Sequence, residues 1–475
     1  MVFFRSIKKG EGNMVKKVLV TVFLVLVGSI IVISDAYPEM TFDYGATFRL
    51  RQEIWDNVVT LDTISRSTGG ADRNFFRFRT SLWGKVDFDK DLGAYLKLTN
   101  EAKYYIGPYK PNTPSNYERL DEDELVVDNL YVNAKNVFGL PVDLKVGRQD
   151  FLGPDMFGEG FLFVDGTPGD GSRTFYFNAA RAKWRITENH SIDFVYLSNP
   201  KTDTFLPSMY PAHHGSLYQD HKKLLNGSDE QGFVIYSRNK IGNLTLEPYY
   251  IYKTEEPVGP LFANPKLKLN TVGARALYTI DAWKLGGEFA HQFGEYDGGG
   301  DRRGNGGYVF VNRTFKDTPL KPTFELRYVY LSGDDPNTDK KHEGWDPLFS
   351  RAPYWNELII YTFINETIKD GGPIPGYWTN LHLFIAKATM SFTPSTNFAL
   401  TYQYLRADQS TKGLNAAMFS NSGKERGHLP TAMLSHKFSK NIDGFLQFEY
   451  FIPGSFYNDN AKNAIFFRWQ LQFKV

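Results

Sequence analysis

The carboxy-terminal stretch IFFRWQLQFKV places apolar side chains at Ile465, Phe467, Trp469, Leu471, Phe473 and Val475, with Arg468, Gln470, Gln472 and Lys474 between them. Successive strand residues point to opposite faces, so a period of two predicts a strand with one apolar and one polar side. The same alternation begins at Thr41 and recurs along the chain, while the connectors alternate in length. TFDYGATFRLRQEIW is followed by the long DNVVTLDTISRSTGGADRN, FFRFRTSLWGKVDF only by DKDLG. AYLKLTNEAKYY runs into IGPYKPNTPSNYERLDEDE, and LVVDNLYVNAK into the short NVFGLPVD. Residues 198–232, GEYDGGGDRRGNGG (294–307) and Gly333 to about Pro375 continue the long set; ENHS, NKIGN, FTPSTN and SKNIDG continue the short one. The pattern predicts about eighteen strands with both ends on the short-turn side. An all-β transmembrane antiparallel barrel has this asymmetry, with short periplasmic turns and long extracellular loops. A sandwich gives no reason for it. The apolar row of the last strand is therefore expected to face lipid, and Arg468, Gln470, Gln472 and Lys474 a lumen.

Composition agrees. The 475 residues include 39 Phe, 28 Tyr and 8 Trp, yet mean hydropathy is that of a soluble protein, because only the lipid-facing half of each barrel strand must be apolar. Lys16 and Lys17 precede VLVTVFLVLVGSIIVI, and small residues at Ser34 and Ala36 complete a secretory signal peptide over 1–36, with an uncleaved anchor helix as the alternative. Residues 37–475 then form one outer-membrane barrel, with no apolar run of ~20 residues that would make a spanning helix. Cysteine is absent, which excludes disulfides and thiolate chemistry. The chain carries +1; residues 1–36 hold five basic and two acidic side chains, a net +3, so the remainder carries −2. That balance excludes a nucleic-acid binder by bulk charge.

The alternate, inward rows carry the candidate chemistry: Arg49, Arg51 and Glu53; Arg77, Arg79, Lys85 and Asp87; Lys97 and Glu101; Arg181, Lys183 and Arg185; then Glu247, Arg275, Glu288, Glu325, Arg327, Glu449, Arg468 and Lys474. Charged groups lining an aqueous channel set selectivity through the local field, and the planar guanidinium pairs bidentately with carboxylates. A track of such groups suits a polymer bearing many carboxylates. The alternative for each residue is a lumenal ion-pair network that stiffens the wall.

LKVGRQDFLGPDMFGEGFLFVDGTPGDGSRTFYFNAARAKW resembles the alginate-export family of outer-membrane barrels: a strand ending in Gly147, Arg148 and Gln149, a Gly-rich aromatic stretch, then Phe177, Ala180 and Arg181 opening the next strand. LRYVYLSGDD (326–335) and HLPTAMLSHKFSKNIDGFLQFEYFIPGSFY (428–457) resemble two further motifs of that family. The resemblance implies an eighteen-stranded barrel passing an anionic polyuronate outward through an arginine-lined lumen, and it adds Arg148 to the track. Arg148 shares parity with Leu144 and Val146, so it faces inward only where a bulge or the strand end intervenes. The acidic residue expected before the GRQ hairpin has Asp128 as its nearest counterpart. Membrane lipid and an anionic polysaccharide are the expected partners, with periplasmic secretion proteins as further candidates. The alternative function is an uptake porin for small anions or oligosaccharides.

Other signals are weaker. Asp335, Asn337 and Asp339 begin a calcium-loop pattern, but Lys340 stands where glycine is needed and Asp346 where glutamate closes the loop, so a solvated loop is expected. DGGGDRRGNGG (297–307) is expected to be a flexible loop, and His213, His214 and His221 unliganded loop histidines, so no metal or other cofactor is assigned. No G-x-S-x-G or H-E-x-x-H occurs, and Ser435 and His436 are adjacent strand residues on opposite faces. An enzyme is not expected.

Overall fold

The computed structural model describes residues 40–63, 72–107, 119–166, 171–209, 225–257, 265–338, 340–350, 355–362, 378–412 and 416–475. The signal segment and the three loop histidines lie outside these residues.

Eighteen strands pair antiparallel, each with its sequence neighbour, and the last closes on the first. They are β1 Thr41–Asp56, β2 Arg73–Asp87, β3 Leu92–Gly107, β4 Leu120–Ala134, β5 Val142–Asp150, β6 Tyr176–Arg185, β7 His190–Asn199, β8 Glu230–Ile241, β9 Leu244–Glu255, β10 Leu267–Ile280, β11 Trp283–Tyr296, β12 Asp301–Thr314, β13 Thr323–Leu331, β14 Leu381–Thr393, β15 Thr396–Arg406, β16 Glu425–Lys437, β17 Ile442–Pro453 and β18 Ala464–Lys474. Closure leaves the sheet without a free edge strand, as hydrocarbon surroundings require. Two short pieces, Ser208–Met209 and Lys341–His342, add onto β4 and β12.

The period of two holds on the outer face, where Leu82, Leu130, Val132, Val146, Phe289, Val309, Leu326, Phe384, Leu400 and Leu446 are all exposed. On the inner face it holds only in the periplasmic half. Towards the extracellular end both faces are apolar, because Phe75, Tyr105, Leu383, Leu405, Phe451 and Phe466 are buried under connectors that fold into the barrel.

Two connectors do this. Residues 151–166 and 340–350 meet in the lumen, where Val164 and Asp165 amides donate to the Phe349 carbonyl and Phe349 N–H donates back to Leu162. Phe151, Phe157, Phe163 and Phe349 pack there with Phe177 of β6 and Tyr236 of β8. A fully buried ring contributes about 1.5–3 kcal/mol, which offsets much of the roughly 1–2 kcal/mol per residue lost in ordering the connector. A further connector stretch, residues 355–362, crosses to the opposite wall, where Glu357 and Leu358 amides donate to Glu449 on β17 at 3.0 and 2.8 Å.

One expected loop is a strand. Residues 301–307 belong to β12, and the extracellular connection from β11 is only the turn of residues 297–300. Glycine hid the alternation here. A Cβ on Gly306 would stand 2.6 Å from the Trp345 ring, and one on Gly304 would stand 2.7 Å from Gln292 Oε1. Bare inner positions on β12 leave room for the inward connector.

Candidate functional site

The inner face of β18, β1, β2 and β3 carries a ladder of guanidinium groups. Register places Arg49 opposite Arg79, Arg51 opposite Arg77, and Glu53 opposite Arg468. Like charges facing each other across a strand pair are destabilising, so two fully buried carboxylates hold the ladder together. Glu101 accepts from Arg77 at 2.6 Å through Oε1, and from Arg49 at 2.6 Å and Arg79 at 3.0 Å through Oε2. Glu53 Oε1 accepts from Arg468 at 2.9 Å, Arg77 at 3.2 Å and Arg51 at 3.3 Å. Glu357, from the inward connector, adds a pair to Arg468 at 2.9 Å. Among the described residues, five guanidinium groups thus share three carboxylates. The Arg77 and Arg468 side chains are sealed in, whereas those of Arg49, Arg51 and Arg79 keep 12–14% of their surface exposed.

The ladder borders a cavity of about 1010 Å³. Arg73, Lys103, Arg327 and Lys387 join the five on its wall, making nine basic residues against the acidic Glu159, Asp165, Glu325, Glu357 and Glu449. Adding Glu53 and Glu101 behind the ladder still leaves an excess of two cations among the described residues. A second cavity of about 490 Å³ shares Arg49 and Arg79 with the first and is also lined by Lys97 and Lys145, with Asp150 and Asp155 opposite in charge. The two cavities thus share a mixed, predominantly basic lining among the described residues, with Arg49 and Arg79 common to both.

Glu159 at the turn of the inward connector reaches Arg327 on β13 at 2.7 Å and Arg275 on β10 at 3.6 Å. Arg275 also pairs with Glu247 at 2.8 Å, and Arg181 with Asp193 at 2.7 Å and Asp155 at 2.6 Å. The Glu159 and Asp155 contacts pin the connector to β13, β10 and β6, while Arg275–Glu247 and Arg181–Asp193 join neighbouring wall strands.

Of the sequence-derived track, Arg49, Arg51, Arg77, Arg79, Arg327 and Arg468 border the larger cavity and Lys97 the smaller one, paired to Asp128 at 2.7 Å. Arg181, Lys183, Arg185 and Arg275 border neither; Lys183 sits opposite Asp143 and Asp193, and Arg185 hydrogen-bonds Asn136 at 2.6 Å near the periplasmic rim. Arg148 departs most from expectation. It lies opposite the outward Leu130, is 2% exposed, and forks onto Asp203 at 2.8 and 2.7 Å. Arg173 donates to the same Asp203 at 2.6 Å and to Glu124, and the Arg148 guanidinium lies 4.2 Å from the Tyr176 ring centroid. The parity shared with Leu144 and Val146 prevails, and Arg148 braces the wall where short β5 ends and the 200–209 connector takes over. Gln149 beside it is buried and donates to the Ala179 carbonyl at 3.0 Å, so the GRQ motif ties strands together. Asp128, the counterpart of the family's acidic residue, accepts from Thr174 at 2.7 Å and so anchors the end of the inward connector.

Nine charged lining groups escaped the sequence expectation: Arg73, Lys103, Glu159, Asp165, Glu357 and Lys387 on the larger cavity and Lys145, Asp150 and Asp155 on the smaller; three of them show why. Lys103 shares the parity of Lys97 and Glu101, a signal sufficient to place it. Lys387 lies on β14, where Phe384 faces out and Leu383 and Ile385 are buried inside, so alternation there is silent. Glu159 lies on a connector, where parity does not apply. Asp335 accepts from the Asn337 amide at 2.9 Å and closes a turn, and Ser435 and His436 point to opposite faces of β16, bonded to the Asn397 carbonyl and Thr396 hydroxyl respectively.

A family profile described as alginate export matches residues 41–470. Among solved structures, Pseudomonas aeruginosa OpdK superposes with a TM-score of 0.53 at 11% identity over 91% of this chain and 98% of that one. P. aeruginosa OprE gives 0.52 at 10% identity over 91% and 98%. P. aeruginosa OpdF, solved in complex with glucuronate, gives 0.50 at 11% identity over 91% and 98%. At such identities the likeness establishes the fold. A search of curated protein sequences gives no match.

Proposed function

The chain belongs to the alginate-export family of outer-membrane β-barrels, and from that premise we propose that it passes an acidic polysaccharide of the polyuronate type along the arginine ladder. The observation that carries this reading is the sharing of Glu53, Glu101 and Glu357 among Arg49, Arg51, Arg77, Arg79 and Arg468, beside a cavity with surplus positive charge. The buried carboxylates hold the cations at fixed positions against mutual repulsion, and the deficit of carboxylates leaves the ladder attractive to a mobile anion. A chain bearing one carboxylate per residue exchanges successive carboxylates onto Arg51, Arg49 and Arg79 without being trapped, since conduction demands sites weak enough to leave. Arginine suits this better than lysine because its weakly hydrated planar fork meets a carboxylate edge-on with two hydrogen bonds.

A narrower reading, uptake of small anions or short oligosaccharides, draws on the inward connectors, which fill much of the extracellular half of the lumen, and on the shared fold of OpdF, solved with a single uronate. A planar bilayer separates the two. The polyuronate reading expects an anion-preferring current that added polyuronate blocks, and expects Arg49→Ala with Arg79→Ala to weaken that block about tenfold or more, removing two charge-assisted contacts worth roughly 1.5–3 kcal/mol each before screening. A current that monomeric uronate reduces and polymer leaves untouched favours uptake. A current without anion preference defeats both.

A further inference from the structure

We propose that the periplasmic half of the lumen contains a stacking platform for pyranose rings, formed by Trp83, Tyr95 and Tyr131 on β2, β3 and β4. This deepens the channel reading above and rests on it. The three rings line the smaller cavity. Tyr95 lies directly opposite Tyr131, and Trp83 stands diagonally across from Tyr95. Ring centroids are 6.1 Å apart for Trp83 and Tyr95 and 5.2 Å apart for Tyr95 and Tyr131, each pair within 22° of parallel. The row continues at both ends. The Lys145 ammonium sits 4.2 Å from the Tyr131 centroid, and on the other side the indole lies over Gly45 of β1, where a Cβ would stand 2.6 Å from a ring carbon. Five adjacent strands therefore cooperate in one aromatic band across the inner wall.

Packing alone does not account for it. Inward aromatics towards the extracellular end of the ladder, among them Phe75, Tyr105 and Phe466, are buried to 4% or less beneath folded-in connectors. Trp83, Tyr95 and Tyr131 are only half-buried and border open space. Three rings left facing a water-filled lumen forgo the gain that covering would bring, and a ligand with an apolar face supplies the cover.

The cavity's other groups name that ligand. Arg49, Arg79, Lys97 and Lys145 outnumber Asp150 and Asp155 in the same lining, so an occupant pairs an apolar face with a negative charge. A pyranose ring has axial C–H groups on its faces, which rest against the electron-rich face of an aromatic ring, and a uronic acid adds the carboxylate. Small inorganic anions match only the cations, and neutral sugars only the rings. Because Arg49 and Arg79 border both cavities, the platform delivers the sugar directly onto the ladder. It is the element that selects a sugar among anions.

The test compares current block by a short oligouronate with block by polyglutamate of equal charge, which has carboxylates but no sugar ring. With Tyr95→Leu and Tyr131→Leu, the ratio of oligouronate to polyglutamate block is expected to fall about tenfold, while Tyr95→Phe, which keeps the ring, retains the wild-type ratio. An unchanged ratio in the leucine variants overturns the platform and leaves the anion-channel reading standing. Absence of block by either polymer in the wild type overturns the polyuronate reading and the platform together. Should the leucine variants fail to fold, the wild-type barrel still decides: oligouronate is expected to change the part of the tryptophan emission that Trp83→Phe removes, polyglutamate to leave it constant, and equal responses to both contradict the proposal.

Discussion

Glu101→Gln destabilises the barrel by about 3–5 kcal/mol, the usual cost of removing one partner from a buried ionic cluster. The substitution preserves shape and deletes one charge. Glu101 is fully buried and is the carboxylate to which Arg49, Arg77 and Arg79 converge at 3.0 Å or less. Without it, Arg49 and Arg79 face each other in register with Arg77 close by, and the new amide turns hydrogen-bond donors towards groups that are themselves only donors. The Glu101 backbone N–H, which the substitution keeps, still donates to Ser172 Oγ at 2.8 Å at the end of the inward connector, so the loss isolates the side-chain charge. Urea unfolding in lipid vesicles, followed by loss of heat-modifiable gel mobility, measures the change. The same substitution at Glu325, whose ion pair among the described residues is with the partly exposed Arg327 at 2.9 Å, is expected to cost about 1 kcal/mol or less. Equal effects at the two positions would mean that the ladder needs no central carboxylate.

Asp203→Ala is expected to cost a similar amount, about 3–5 kcal/mol, through a different part of the wall. Among the described residues it leaves Arg148 and Arg173 buried with no counter-ion but Glu124, which Arg173 reaches. The same pair makes this region acid-sensitive. Burial by itself raises the Asp203 pKa, but hydrogen bonds and charge from Arg148 and Arg173 more than reverse that and hold it at about 2. A depressed folded-state value means that the pair's contribution is fully present above the ordinary aspartate value near 4 and is lost as pH falls from there through about 2. Roughly 2 kcal/mol disappears over that window. Hydrogen-exchange protection of residues 200–209, taken relative to the intrinsic rate at each pH, should therefore fall between pH 4 and pH 2 in the wild type and already be low at pH 6 in the alanine variant. Protection that stays constant across the window would remove Asp203 from the wall.

The barrel was legible because lipid imposes the same two-residue period on every outer row, from Phe42 to Phe473, whatever the inner row contains. Parity also found Arg49, Arg51, Arg77, Arg79 and Arg468, since strands of regular pleat cannot hide a charge on the apolar side. It could not find how those groups pair. Glu101 and Arg49 are 52 residues apart and Arg468 and Glu53 are 415 apart, and register across such separations follows from closure of the whole sheet. Parity failed where another force replaced lipid and water as the organiser. On β12 glycines make room for Trp345, on β14 the inner row is apolar because a connector covers it, and at Arg148 a connector aspartate turns an outward position into a buried one. The inward connectors were invisible for the same reason: Phe151, Phe157 and Phe163 read as an irregular aromatic stretch until the wall that buries them is in place.

The central claim is that a carboxylate-bearing sugar chain travels through the barrel, and efflux tests it most directly. Vesicles holding the purified protein are loaded with a short oligouronate and a neutral oligosaccharide of the same length, each labelled, and the release of both is followed at low salt and at high salt. Faster release of the oligouronate, with an advantage that shrinks as salt screens the ladder, is the predicted result. Equal rates at all salt concentrations, or retention of the oligouronate while the neutral sugar escapes, would contradict it.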